Sequence, residues 1–211
     1  MNVILYYLAN SIAVIIVMTI MGFTRAYTSY KLGDIAIKNM GKLSLNPKKH
    51  FEILGFIVFL FFNFGWSAPV DISSLYYKNR KKGNILVFII PLIVAIMLAF
   101  IFNFIYLLII RYKGYFTLIP IIGMISYTIA IYFINFAVFN IIPIYPLFGQ
   151  KFFQAILPTN KAIKLSQYEK FLQILVIFLL ISGLLQKVLN IISSFILAII
   201  SIPVQFILGF I

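Results

Sequence analysis

The chain has 211 residues, 64% of them hydrophobic and 10% charged, with a mean hydropathy of +1.11 and a formal net charge of +13. A soluble domain carries about 45–50% apolar and about 25% charged residues, so this composition excludes one and marks an integral membrane protein. There is no cysteine, which excludes disulfides and thiolate chemistry; the positive balance suits anionic lipid at a membrane surface and calls for no nucleic acid.

Residues 1–24 carry no charge and read as the first transmembrane helix, and Arg25 follows at once. No basic segment precedes this run, and it is too long for a signal-peptide core, so it is expected to stay as a mature helix. Residues 25–52 have strand character. Ile35-Ala36-Ile37-Lys38 follows the turn signal Gly33-Asp34, and Lys42-Leu43-Ser44-Leu45 alternates polar and apolar before Asn46-Pro47. This pattern predicts a small β-hairpin or sheet against the membrane face.

Ile53–Trp66 is apolar over only 14 residues. As a helix it would reach roughly 21 Å, short of the ~30 Å hydrocarbon core, so it predicts a re-entrant segment. A basic loop, 67–83, leads to spans at 84–110 and 115–142, separated by Arg111-Tyr112-Lys113. Pro143 and Pro146 then predict a broken-helix loop over 143–150. A further loop, 151–170, ends on Ser166-Gln167-Tyr168-Glu169, a capping-box pattern that opens a span at 170–189. Residues 190–211 either span again or lie in the interface. The expected fold is a single all-α polytopic membrane domain with four to five transmembrane helices, a short re-entrant segment and a small membrane-associated β-sheet. If Ile53–Trp66 dips and returns, fourteen of the seventeen Lys and Arg lie on one side, which the positive-inside bias makes cytoplasmic.

Ionisable side chains are the first place to look for chemistry in a membrane protein. The acids are Asp34, Glu52, Asp71 and Glu169, and the single histidine is His50. All fall in loops or at helix ends. Asp34 reads as a turn residue, Asp71 as a loop acid or cap, Glu169 as a cap, and His50 as a solvated member of the basic run Lys48-Lys49-His50. A catalytic zinc needs three protein ligands and a water. One histidine and no cysteine do not supply a usual set, so the residues argue against hydrolysis.

Four separated motifs nevertheless occur in order: "YKLGD" (30–34), "GKLSLNPKKHFEILG" (41–55), "FGWSAPV" (64–70) and "NIIPIYPLFG" (140–149). Together they resemble the site-2 protease family of intramembrane zinc metalloproteases, in its compact bacterial form. The resemblance implies a His-Glu-x-x-His zinc motif at positions that are here Met21, Gly22 and Arg25. It implies an aspartate ligand where Phe148 stands, within an otherwise retained frame of Asn140, Pro143, Pro146, Leu147 and Gly149. The family's Gly-Pro element falls at Ile90-Pro91, with only the proline kept. Zinc is the cofactor expected of the family and is not supported by these residues.

The resemblance therefore implies a catalytically inactive homologue, a pseudoprotease of the bacterial cytoplasmic membrane with its basic loops cytoplasmic. Its expected partner is a membrane protein or transmembrane peptide segment, with anionic lipid around it. Asn140, Pro143, Pro146 and Gly149 would hold that segment, aided by strand addition along 35–45 with Lys42 and Ser44. Two alternatives stand beside this reading: an active metalloprotease that borrows ligands from a partner, and a small transporter or channel component using the broken helix. The absence of mid-span acids argues against ion coupling in the last.

Overall fold

A computed structural model describes the backbone of residues 3–111 and 119–209 and the side chains of 7–111 and 121–209. Tyr112, Lys113 and the first residues of the predicted 115–142 span lie outside the described residues. Among the described residues, four helices are long and apolar enough to cross a membrane. They are α1 (Val3–Lys31), α4 (Arg80–Arg111), α5 (Ile119–Phe139) and α9 (Leu184–Leu208). Between them lie α2 (Ala36–Asn39), α3 (Ile53–Phe62), α6 (Gly149–Ile156), α7 (Thr159–Gln167) and α8 (Glu169–Ile181).

Helices α1, α4 and α5 form the centre, and α9 packs across α4 and α5. Small residues make this close approach possible: Ala13, Ala95, Ala99 and Ala130 are fully buried, each at 0% exposure. Aromatic side chains fill the remaining space, with Phe59, Phe133, Phe136 and Phe139 all buried. The outward faces of α8 and α9 leave Phe171, Ile174, Phe178, Ile191, Phe195 and Phe206 exposed, as lipid contact requires. Asn103 donates to Ser201 Oγ at 3.1 Å, one polar tie between α4 and α9 within an apolar interface.

The short apolar segment enters the bundle and comes back. Glu52 caps α3 by accepting from the Gly55 amide. The helix stops at Asn63, which takes a left-handed conformation with φ 63°. The chain then returns extended, and the Ala68 amide donates to the His50 carbonyl at 2.8 Å, closing the loop at its own start. A β-carbon at Gly55 would collide with the Trp66 carbonyl, so glycine allows the returning limb to lie against α3. The tip is held by α5 and α9. Asn135 donates to the Asn63 carbonyl at 3.0 Å, Tyr132 to Asn63 Oδ1 at 3.1 Å, and Gln186 to the Phe62 carbonyl at 3.3 Å.

Several expectations are corrected. The predicted β-sheet is not seen: no strand occurs among the described residues, 36–39 are helical, and 42–46 form an irregular loop. Side chains use the backbone groups that a ladder would need. His50 Nε2 meets the Ser44 carbonyl at 2.7 Å, Lys42 donates to the Lys49 carbonyl at 2.7 Å, and Ser44 Oγ accepts from the Asn46 amide at 3.1 Å. Asn46 caps a 3₁₀ turn at Pro47–Lys49 instead of ending a strand.

The 170–189 stretch is not one continuous helix. Helix α8 has 13 residues and stops at Gly183, whose φ of 76° breaks the helix before α9 begins. Among the described residues four helices are long and apolar enough to cross a membrane, and most of the final stretch belongs to one of them. The 151–170 loop is largely helical, as α6 and α7. Its capping box does not form: Ser166 Oγ donates back to the Ala162 carbonyl within α7, and Glu169 accepts from Gln150 at 3.0 Å.

Candidate functional site

Residues 21, 22 and 25 lie within one turn and a step of α1, so they present neighbouring positions to the 140–149 turn and the loop before α3. Met21 is fully buried in the central core, which also contains Phe148. Arg25 is 4% exposed although it is charged. Its guanidinium lies over the Phe148 ring, 4.3 Å from the centroid, a cation–π contact of the kind worth up to about 2 kcal/mol when desolvated. The Phe148 ring is itself held edge-on by Phe136, with centroids 5.4 Å apart. Arg25 Nε has no hydrogen-bond partner. The arginine that ends the uncharged run thus points into the protein.

Gly22 is occupied from the other side. The His50 ring packs so closely that a β-carbon on Gly22 would lie 2.5 Å from Nδ1. His50 is fully buried, which corrects its expected place as a solvated loop residue. Its neighbours Lys48 and Lys49 are exposed, but the 3₁₀ turn and the Ala68 bond rotate the ring inward. The Ser44 carbonyl can only accept, so Nε2 carries the proton and Nδ1 keeps a lone pair with no partner. Adding a second proton would place a buried N–H against the Gly22 backbone.

Burial accordingly pushes the His50 pKa below its usual value, the nearby Lys42 charge pushes the same way, and the Ser44 bond opposes both. The folded chain then binds this proton less readily than the unfolded chain. Stability is full above the ordinary histidine value of 6.5 and is lost as pH falls through it, levelling below the folded pKa. Denaturant titrations between about pH 7.5 and about pH 5 will show this decline, and His50→Gln will remove its pH dependence. A flat wild-type profile over that range would contradict the assignment. The chain contains one histidine, so the interpretation has no competitor of that type.

The 140–149 turn is built around Asn140, which is fully buried. Its Nδ2 donates to the Gly65 carbonyl at 3.2 Å and the Phe136 carbonyl at 2.9 Å, and its Oδ1 accepts from the Phe148 amide at 3.4 Å. Its own carbonyl accepts from the Gly149 amide at 2.8 Å. Pro143 and Pro146 cannot continue α5, and these bonds satisfy backbone groups freed where the helix stops. Asn140 and Gly149 are thus committed inside the protein, whereas Pro143 and Pro146 are partly exposed. Lys42 and Ser44 are engaged within their own loop, and without a strand there is no sheet edge for a partner to extend.

The acids are scattered. Asp34 is more than a turn residue: it is fully buried and accepts from Ser29 Oγ at 3.1 Å and the Ser73 amide at 2.7 Å, while Ser29 also meets the Tyr77 hydroxyl at 2.7 Å. This cluster ties α1 to the loop before α4. Glu52 caps α3, Glu169 holds Gln150, and Asp71 is exposed. Among the described residues no group of three or more His, Cys, Asp or Glu could hold a metal ion. Arginine, phenylalanine, methionine and glycine offer no anionic or imidazole donor, and His50 is committed elsewhere, so these residues do not fit a zinc ion.

Two cavities adjoin the centre. One, about 480 Å³, is an apolar groove between α3, the 140–149 turn and α8, with Leu54, Val58, Trp66, Phe139, Val176 and Leu180 among its walls. The other, about 390 Å³, is polar and receives Arg25. Sequence reasoning found Arg25 and Phe148 through the motif frame. It missed the packing of His50 on Gly22, because a histidine and a glycine far apart in the chain give no local signal.

The chain is 30% identical over 184 residues to a protein of Bacillus subtilis (strain 168) described as "Putative zinc metalloprotease YwhC", a match that covers 82% of this chain and 84% of the relative. No protein-family model matches the chain, and no solved structure matches it.

Proposed function

The chain belongs to a site-2-protease-like metalloprotease family together with its Bacillus relative, and from that premise we propose that this member cuts nothing and instead holds an apolar segment of another membrane protein. The observation that carries this reading is the Arg25 guanidinium stacked on Phe148 at 4.3 Å, at positions where the motif frame expects zinc ligands. A cation within a few ångströms of a dication costs several kcal/mol even at an effective dielectric near 20. The steric position of His50 over Gly22 supports the same reading, since it excludes a glutamate base from that place.

The groove between α3 and α8 is the seat for the partner. Its walls are mainly aliphatic and aromatic, it is bounded by the broken turn, and an apolar segment already in the bilayer matches it without desolvating charge. The basic segments 25–83 and 151–170 then face the cytoplasm, in keeping with the positive-inside bias.

The test uses full-length protein purified from its native membrane. Zinc is expected well below one ion per chain, with no cleavage of membrane-segment peptides. A photo-crosslinker at Val176 is expected to capture a membrane protein. Stoichiometric zinc with peptide cleavage would end the proposal. Cleavage in the native membrane that disappears on purification would favour ligands borrowed from a partner.

A further inference from the structure

The polar cavity beside the groove has no place in that function. It is lined by Arg25, by Asp71 and Ser73 in the loop before α4, by Tyr145 in the broken turn, and by Gln150 and Lys151 in the first turn of α6. Pro69, Tyr145 and Pro146 line both this cavity and the apolar groove, and so form the wall between them.

Its charge is unbalanced. Arg25 is more than nine-tenths buried, and its Nε has no partner. A buried guanidinium left in this state is costly unless an anion meets it. The Phe148 ring holds its plane but supplies no acceptor. Asp71 is near enough for its charge to act on Arg25, yet it is exposed at the rim and forms no hydrogen bond with it. Lys151 adds a second cation. The Gln150 amide is already given to Glu169. The hydroxyls of Ser73 and Tyr145 complete a set of donors that arrive from three chain segments.

We propose that this cavity binds a phosphate group, through Arg25 and Lys151 with the Ser73 and Tyr145 hydroxyls. A phosphate offers several oxygens in a tetrahedral array, which donors converging from three segments can meet together. A carboxylate has two oxygens in one plane and matches a single fork. The cavity lies at the end of the bundle where α1 finishes and α4 begins, so the group belongs either to a lipid headgroup or to a soluble phosphoester. The site stands on its own geometry and does not depend on whether a partner segment occupies the groove.

Thermal unfolding of the full chain in neutral-detergent micelles, at constant ionic strength, tests it. The probes are inorganic phosphate, dioctanoyl phosphatidic acid, dioctanoylglycerol and acetate. A phosphate-bearing probe is expected to raise the midpoint by several degrees, to about 4 °C or more at saturation. A response to phosphatidic acid alone assigns the group to lipid, and a matching response to inorganic phosphate assigns it to a soluble ligand. Arg25→Gln is expected to abolish the shift. Because that variant perturbs a buried position, Lys151→Gln provides the second arm, with apparent affinity reduced about tenfold. The site is overturned by no shift with either phosphate probe, by an equal shift with acetate or dioctanoylglycerol, or by a shift that Lys151→Gln leaves unchanged.

Discussion

Gly22→Glu, the change that would put back a catalytic base, is expected to yield little or no folded protein. The first carbon of any side chain at this position lies 2.5 Å from His50 Nδ1, 3.0 Å from Cγ and 3.2 Å from Cβ of the same ring. The ring cannot swing away cheaply. It is fully buried, its Nε2 is bonded to the Ser44 carbonyl at 2.7 Å, and its backbone is pinned by Ala68. Gly22→Ala alone should cost about 1–3 kcal/mol, the usual range for forcing extra volume into a packed interior. Glutamate adds a carboxylate to a buried position and raises the penalty by several kcal/mol more. Denaturant unfolding of purified variants measures this. The pair Gly22→Ala and His50→Ala should couple, with the second change restoring part of what the first removes. If Gly22→Ala is as stable as the parent chain, the packing described for His50 is wrong. A folded Gly22→Glu chain that binds zinc would remove the steric part of the case against hydrolysis.

Asn140→Leu is expected to destabilise the chain by about 2–5 kcal/mol, with the loss centred on the junction between α5, the returning limb of the dip and α6. Leucine has the same branched heavy-atom skeleton, so the effect is chiefly one of polarity. It strands the Gly65 carbonyl and the Phe148 amide, both of which depend on this amide side chain at 3.2 and 3.4 Å. Each buried group left without a partner costs about 1–3 kcal/mol. Asn140→Asp keeps an acceptor for the Phe148 amide; the neutral acid has one O–H that can donate to Gly65, so it should have a partial effect, and the ionised form, with no donor left, a larger one. Unfolding followed at a probe on α6 and at one on α9 separates a local from a global effect. A change below about 1 kcal/mol for Asn140→Leu would mean that the turn does not rely on these bonds. The functional consequence is direct, since the same residue carries Phe148 to Arg25 and shapes one wall of the groove.

The two results bear on one idea: the centre is filled by protein. On α1 an imidazole covers Gly22, and about one turn further on a phenyl ring covers Arg25. The chain has kept the dip, the broken turn and the groove, while the space between them is packed or cationic. Under the proposed function such a frame would suffice to hold an apolar segment, because that task needs shape and a dry wall and no polarised water.

Local composition determined the membrane class, a largely helical chain expected to have four to five spans, the shortness of the dip and the break at Pro143 and Pro146. These follow from apolar run length and from proline's missing amide, properties that a stretch of chain carries wherever it is placed. It misled at the supposed sheet, because alternation over four residues indicates a strand only if another strand stands opposite, and here side chains took those backbone groups. The 170–189 stretch was misread because apolar content does not reveal that Gly183 will turn the chain. Only tertiary structure decided that His50 is buried while Lys48 and Lys49 are exposed, and that Arg25 faces Phe148 and a polar cavity. Burial of a single polar side chain is set by what the distant parts of the chain bring against it, and that opposition is absent from any window of sequence.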